Sequence, residues 1–160
     1  SFRDDGTITA ANASPLSDGA AALFVGSEKA ADSLGQAPVA RIIGRAAFAL
    51  EPQRFGFAPK EAADRALARA GITWSEVGLV ELNEAFAVQS LACVDAWGID
   101  PEIVNRRGGA IALGHPLGAT GARLVMTITR GMQADDVRYG VAAICIGVGQ
   151  ALATVFELVK

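Results

Sequence analysis

Short apolar runs alternate with amphipathic segments along most of this chain. Five runs are short enough to be buried strands. They lie at residues 20–26, 39–44, 77–82, 140–145 and 150–158. Four segments between them have helical spacing or few helix-breaking residues. They lie at residues 28–34, 59–70, 85–97 and 118–130. The alternation predicts a mixed α/β sheet covered by helices on both faces, and the short gap before the last run predicts a hairpin.

Prolines, glycines and capping residues mark the ends of these predicted elements. Pro59 suits the first turn of a helix, and Gly71 suits its end. Thr73 and Glu76 have the spacing of a capping box. Asn83 is a natural N-cap for the helix at 85–97, which is apolar almost all round and is therefore expected to be buried on more than one side. Residues 6–18 predict an ordered loop, and residues 46–58 predict irregular structure.

Composition narrows the class of protein. The 160 residues predict one domain, and 51% of them are hydrophobic. The net charge of −3 comes from scattered charges, which argues against nucleic acid and anionic membranes as partners. No apolar run approaches the ~20 residues of a membrane span. The first residues lack the charged start and apolar core of a signal peptide.

The cysteine pattern indicates a reducing compartment. Cys93 and Cys145 are the only cysteines, and their positions do not demand a disulfide. Cys93 lies within an apolar helical segment and is expected to be core. The chain has neither a CxxC pair nor a histidine cluster, so a zinc site is not expected. We therefore expect a cytoplasmic protein.

Candidate chemistry centres on residues 108–123, which surround the only histidine, His115, with glycines. Glycine permits positive φ and a close approach of backbone to ligand. Pro116 biases His115 towards an extended conformation. An imidazole with an ordinary pKa near ~6.5 exchanges protons readily at neutral pH. The alternative is a turn with an incidental histidine.

Two further polar residues follow predicted strands. Asn83 and Cys145 lie at strand ends, where ligands gather in open α/β sheets. An imidazole promotes deprotonation of a thiol, and the Gly147 amide is available to a developing oxyanion. This combination favours acyl transfer. Alternatives remain open: Asn83 as a helix cap only, Cys145 as inert core, or a Cys-His-Asn hydrolase with Cys145 as its nucleophile.

Three segments resemble the C-terminal motifs of the thiolase family, in the family's order: 83–86, 108–118 and 145–150. Residues 9–14 resemble the family's segment that lines the coenzyme A tunnel. The resemblance implies a layered α-β-α C-terminal domain with a mixed five-stranded sheet at 36–160. Residues 1–35 would end the loop region and the N-terminal domain. Residues 146–149 and the sequence around Cys93 resemble the β-ketoadipyl-CoA type.

The resemblance also implies roles at the site. His115 would activate a nucleophilic cysteine and help hold the thioester oxygen. Cys145 would move the proton at the α-carbon of the acetyl unit. Asn83 would hold a water in one oxyanion hole, and the Gly147 amide would serve the other. Five residues would line the pantetheine tunnel: Ala10, Ala13, Ser14, Ala85 and Phe86.

The implied reaction moves an acyl group between 3-ketoacyl-CoA and coenzyme A, which is a substrate, without a resident cofactor or metal. Ala151 departs from the glycine usual in the family, and we expect it to stiffen the last turn. Neither cysteine matches the family's nucleophile, which belongs to an N-terminal half that has no counterpart here. We expect the chain alone to be inactive and the complete enzyme to be a homo-oligomer. A non-catalytic structural or assembly fragment is the rival.

Overall fold

A four-stranded sheet separates two hydrophobic clusters in the computed structural model, which describes residues 1–159. The strands are β1 Ala40–Ala49, β2 Leu79–Leu82, β3 Tyr139–Gly147 and β4 Gln150–Leu158. Their order is β1-β4-β3-β2, with β2 parallel to β3 and the other pairs antiparallel. The mixed α/β sheet is therefore confirmed.

The expected fifth strand is absent from the sheet that these residues form. Val104 makes only an isolated parallel bridge to Val80. Residues 20–26 form no strand, and Phe24 and Val25 are 76% and 70% exposed. A strand forms by pairing its backbone, and no sheet edge among residues 1–159 pairs with this run. The prediction of a buried strand at 20–26 is wrong, and the run is an uncovered apolar surface.

The helices cover both faces of the sheet, as the alternation predicts. They are α1 Glu28–Leu34, α2 Ala58–Ala70, α3 Ala87–Trp97, α4 Ala110–Leu113 and α5 Thr120–Asp135. Helices α2 and α3 contribute to the cluster on one face, and α5 forms the cluster on the other. None of the helices in the described part of the chain is both long and apolar enough to cross a membrane.

Helix α2 follows its sequence signals closely. It begins beside Pro59 and ends at Gly71, which has φ 72°. Its alanines allow a close approach to β1, where a Cβ on Gly44 would lie 2.3 Å from the Ala66 carbonyl oxygen. Strand β1 is longer than predicted and extends through Ala49, because it pairs with β4 along this segment. The irregular structure expected at 46–58 is thus reduced to a short connection.

Helix α3 differs from its prediction in two ways. It begins at Ala87 rather than Ala85, because Phe86 is extended and bridges Ala13, while the Ala85 carbonyl accepts from the Ser14 amide. Asn83 therefore does not cap it, which corrects that expectation. The helix is also not buried on several sides, since Val88 and Leu91 are 48% and 68% exposed. Only one of its faces lies on the core.

The C-terminal elements match the predicted order: β4 has the predicted bounds, and α5 and β3 extend beyond theirs. Helix α5 continues to Asp135 and ends at Asp136, which has a left-handed backbone. Strands β3 and β4 form the predicted hairpin. Ala151 is paired with Cys145 in this hairpin, so it lies in the strand rather than in the turn. The capping box of Thr73 and Glu76 is confirmed.

Candidate functional site

His115 is held between a strand end and a helix start. Its Nε2 atom lies 3.3 Å from Nδ2 of Asn83, and its Nδ1 atom lies 2.7 Å from Oγ1 of Thr120. The Thr120 hydroxyl donates its one proton to the Pro116 carbonyl at 2.9 Å, so it accepts from Nδ1–H. The neutral ring therefore keeps its lone pair on Nε2, which accepts from the Asn83 amide.

The surroundings of His115 favour this neutral ring. Burial, and secondly the positive charge of Arg123, lower the pKa of His115 from its ordinary value of 6.5. A lowered pKa means that the imidazole is unprotonated at neutral pH. Nε2 is thus available as a hydrogen-bond acceptor and as a base.

The backbone before His115 is fixed to the end of β2 by Glu84 and Asn105. The Glu84 carboxylate accepts from the Ile111 amide at 3.2 Å and from Nδ2 of Asn105 at 2.9 Å. Asn105 also exchanges two hydrogen bonds with the backbone of Leu82, each 2.8 Å long. A Cβ on Gly109 would lie 2.1 Å from the Glu84 carboxyl carbon, so a larger residue there would displace the carboxylate from these hydrogen bonds.

Asn83 has an unsatisfied acceptor inside the site. The residue is fully buried, and its Oδ1 atom has no hydrogen-bond partner within residues 1–159. Buried polar atoms are nearly always bonded to protein or to water. This oxygen therefore marks a position for a water or a polar group of a ligand next to His115.

Cys145 lies at the same edge of the sheet as Asn83. Strands β2 and β3 are parallel, with Leu82 opposite Ala143, so Asn83 follows the carboxyl end of β2 and Cys145 lies near the carboxyl end of β3. Cys145 is a free thiol that is 6% exposed. Burial raises its pKa, so the sulfur keeps its proton at neutral pH. A protonated thiol is poorly suited to the nucleophile of a Cys-His-Asn hydrolase.

The turn after Cys145 has three consecutive residues with positive φ. Gly147, Val148 and Gly149 have φ values of 79°, 50° and 82°. The turn is fixed to the start of the Pro52–Phe57 connection, because the Leu50 amide donates to the Gly149 carbonyl at 3.0 Å. A Cβ on Gly149 would lie 1.9 Å from the Leu50 carbonyl oxygen. The backbone of Gly147 is thereby held next to Cys145.

The N-terminal segment joins the other two parts of the site. Ala13 forms a bridge with Phe86, and the Ser14 amide donates to the Ala85 carbonyl at 3.0 Å. Two residues further on, Leu16 forms a bridge with His115. These contacts bring four of the five proposed tunnel residues together. The fifth, Ala10, lies in the preceding turn Ala10–Asn12 and is exposed.

An open cleft of about 420 Å³ lies beside the imidazole. Its lining consists of Leu16, Ser17, Asp18, His115 and Leu117. Leu16 and Leu117 are 91% and 71% exposed, so the cleft has an apolar rim.

Several residues of the site escaped the sequence analysis. Thr120 lies in the same glycine-rich segment as His115, five residues later, and a search for a partner of the second ring nitrogen could have found it. Glu84 and Asn105 fix backbone, a function that spacing does not reveal. The buried Glu81 pairs with the partly exposed Arg123, and the only signal for this pair was a charged residue inside an apolar strand.

Two family matches cover most of this chain. Residues 36–158 match the thiolase C-terminal domain, and residues 1–29 match the thiolase N-terminal domain. The first match alone spans more than half of the sequence. The chain belongs to the thiolase family. The resemblance of the three motifs is therefore confirmed.

Relatives and solved structures agree with this assignment. The chain is 50% identical to the 3-ketoacyl-CoA thiolase of Yersinia pestis (strain Pestoides F) over 156 residues, which are 96% of this chain and 40% of the relative. It is similar to Bacillus anthracis acetyl-CoA acetyltransferase, with TM-score 0.95 and 37% identity over 99% of this chain and 40% of that one. For human mitochondrial 3-ketoacyl-CoA thiolase the TM-score is 0.93 and the identity 36%, over 100% and 41% of the two chains.

This thiolase chain thus spans about 40% of the length of the curated relatives it matches. The β-ketoadipyl-CoA subtype stays a prediction, since the relatives named above have other names.

Proposed function

We propose that this chain is the part of a thiolase that carries the acid/base residues for acyl transfer between 3-ketoacyl-CoA and coenzyme A. The observation that carries the proposal is the arrangement of Asn83, His115 and Thr120, which leaves Nε2 of a neutral imidazole as the acceptor. An acyl-transfer site requires such a base within reach of its nucleophile.

In the proposed reaction, a cysteine outside this chain takes the acyl group, which coenzyme A then receives. His115 accepts the proton of that cysteine at Nε2 and helps to hold the thioester oxygen. The unsatisfied Oδ1 atom of Asn83 supports a role in fixing a water at the same oxygen. Cys145 keeps its proton at neutral pH and supplies it to the α-carbon of the departing acetyl unit.

The second oxyanion site would use the backbone amide of Gly147, which the turn holds next to Cys145. The pantetheine arm of coenzyme A would pass along Ala10, Ala13, Ser14, Ala85 and Phe86. Coenzyme A is then a substrate that leaves with each turnover.

The proposal extends to the organisation of the protein. Residues 1–35 would close an N-terminal thiolase domain, and residues 36–160 would form the C-terminal domain. The exposed apolar residues at 20–26 and on α3 support packing against an N-terminal half and assembly into a homo-oligomer. The two free cysteines support a cytoplasmic location.

The chain alone is expected to have no turnover. Cys93 is fully buried, and burial raises the pKa of its thiol to about 11, so it is not a nucleophile at neutral pH. Cys145 is assigned to proton transfer. The rival function, a purely structural part of an assembly, predicts instead that neither cysteine affects activity in a completed enzyme.

A chimaera tests the proposal. The part of the Yersinia pestis relative that precedes the matched region is joined to this chain, and thiolysis of acetoacetyl-CoA is measured. We expect activity that Cys145→Ala lowers by at least ~10³-fold. Cys93→Ala is the matched control and should change the rate by less than ~10-fold, because it removes a buried thiol without the proposed role. Equal effects of the two substitutions would contradict the proposal.

A further inference from the structure

An ion pair with one buried partner, Glu81, joins β2 to α5 next to the hydrogen-bond partners of His115. Glu81 is 1% exposed, and its Oε2 atom lies 3.3 Å from Nη1 of Arg123. Nη2 of Arg123 is also buried and has no hydrogen-bond partner in the described part of the chain. Removing a charged pair from water costs several kcal/mol per ion unless the geometry compensates, so a buried pair of this kind is weak evidence for stability alone.

Strand and helix geometry place this pair next to the site. Asn83 directly follows β2 and its amide still donates to the Ala143 carbonyl of β3, so its side chain lies on the same side as that of Glu81, two residues earlier. On α5, Arg123 follows Thr120 by three residues, so these two side chains are neighbours on the helix surface. The contacts Asn83–His115–Thr120 and the Glu81–Arg123 pair therefore lie next to each other, between the end of β2 and the first turn of α5.

We propose that Glu81 and Arg123 are positioning residues for His115: Glu81 fixes the guanidinium of Arg123 next to the hydrogen-bond partners of the imidazole, and this fixed positive charge adds to burial in disfavouring the protonated ring. A positive charge close to a base disfavours its protonated form. The inference rests on the role proposed for His115 as the base, since a base must be unprotonated before it acts.

Other charged groups near the Glu81–Arg123 pair act on Glu81 or on His115. Glu84 and Arg107 act on Glu81 with opposite signs, and Arg107 is itself paired with Asp135 at 2.9 Å. Asp18, an acidic group in the cleft beside His115, would favour the protonated ring, opposite to the effect of Arg123. Arg123 is the charged residue that lowers the pKa of His115, after burial.

The single histidine makes a direct test possible. In the NMR spectrum of this chain, the imidazole carbon-bound protons report on His115 alone. We expect Arg123→Met to raise the His115 pKa by roughly half a unit or more, because it removes the charge and keeps an apolar chain of similar length. Glu81→Leu should give a higher His115 pKa than Glu81→Gln, because both remove the carboxylate charge but only glutamine keeps an acceptor that fixes the Arg123 guanidinium.

Conservative variants distinguish the effects of the Arg123 charge and of its placement from a general disturbance of the structure. Arg123→Lys keeps the charge, and Glu81→Gln keeps an acceptor for the guanidinium, so both should leave the His115 pKa lowered, within about 0.3 units of the unmodified chain. Arg130→Met is the matched control, since it removes an exposed arginine two turns further along α5. It should leave the pKa unchanged.

The outcomes decide the inference. A His115 pKa that stays constant in Arg123→Met overturns it, as does an equal His115 pKa in Glu81→Leu and Glu81→Gln, or a shift in Arg130→Met as large as that in Arg123→Met. Signal dispersion in the same spectra shows which variants are folded, and if one of the first two variants is unfolded, the other supplies the test. The titration involves no substrate, so a failure of the proposed acyl transfer in the chimaera leaves this result standing, and the reverse also holds.

Discussion

His115 Nδ1 lies 2.7 Å from the hydroxyl of Thr120, and that hydroxyl already donates to the Pro116 carbonyl. The proton of the neutral imidazole is therefore fixed on Nδ1, and Nε2 faces Asn83. The identity of the basic nitrogen thus depends on a residue that does not face the cleft.

Replacement of Thr120 by valine should remove the preference of the neutral His115 ring for the Nδ1–H tautomer. The shape is kept, but Nδ1–H loses its acceptor, so the ring is expected to populate the Nε2–H form as well. The ¹⁵N shifts of the two ring nitrogens in the chain measure the change, and turnover of the chimaera should fall by roughly tenfold or more. Thr129→Val is the matched control, because Thr129 also bonds a carbonyl one turn back in α5. A tautomer unchanged in Thr120→Val would contradict this account.

Stability should depend on pH through Glu81. Burial raises the pKa of Glu81 from 4.5 to about 7, so between these values the folded state binds more protons than the unfolded state. The contribution of Glu81 to the free energy of unfolding is therefore fully present below pH 4.5 and is lost as the pH rises past 7. The whole change is on the order of 3 kcal/mol. The lowered pKa of His115 acts in the opposite direction below pH 6.5.

Urea unfolding at several pH values measures this dependence. Glu81→Gln cannot titrate, so it should remove the loss of stability between pH 5 and pH 8. Glu102→Gln removes an exposed carboxylate and serves as the control. If the free energy of unfolding of Glu81→Gln still falls between pH 5 and pH 8, the carboxyl group of Glu81 is not the source of the pH dependence.

The turn after Cys145 holds Val148 in a strained backbone conformation that a substitution should relieve. Val148 is 75% exposed and has φ 50°, a conformation that β-branched residues disfavour. Asparagine tolerates this region, and Asn-Gly is the preferred pair in such two-residue turns. Val148→Asn should therefore raise the free energy of unfolding by about 1 kcal/mol. Val148→Thr retains the β-branch and should give no gain, and a larger gain from threonine than from asparagine would refute the explanation.

The sequence predicts elements whose signals are local. Pro59 and Gly71 bound α2 because the proline fits a first turn and the glycine accepts a left-handed conformation, and both effects act within a few residues. The same is true of the hairpin after Cys145. The apolar run at 20–26 could not be placed in this way, because pairing of a strand depends on a partner distant in sequence.

The same distinction holds for the site. The glycines around His115 and its motif predicted the segment that carries it. Asn83 was expected to cap a helix, yet its side chain bonds His115, because contacts of Ala85 and Phe86 with the N-terminal segment delay the start of α3. Thr120 fixes the imidazole proton on Nδ1 of His115, and the spacing of residues along the sequence does not show where that proton lies.

The central claim is that Nε2 of His115 is the base for acyl transfer in the completed enzyme. The most direct measurement compares His115→Ala with the unmodified chimaera, following turnover of acetoacetyl-CoA and the mass of the acylated cysteine separately. Cys145→Ser is included, and we expect it to block turnover while leaving some acylation. Binding of coenzyme A should change little in either variant, because the tunnel residues lie elsewhere.

His115→Ala removes the base and an oxyanion donor together, and the two losses share one ring, so they should not multiply. The account predicts a fall in turnover of at least ~10³-fold with little acylated enzyme. Near-normal turnover in His115→Ala, with the cysteine still acylated, would show that the glycine-rich segment has only a structural role and would contradict the account.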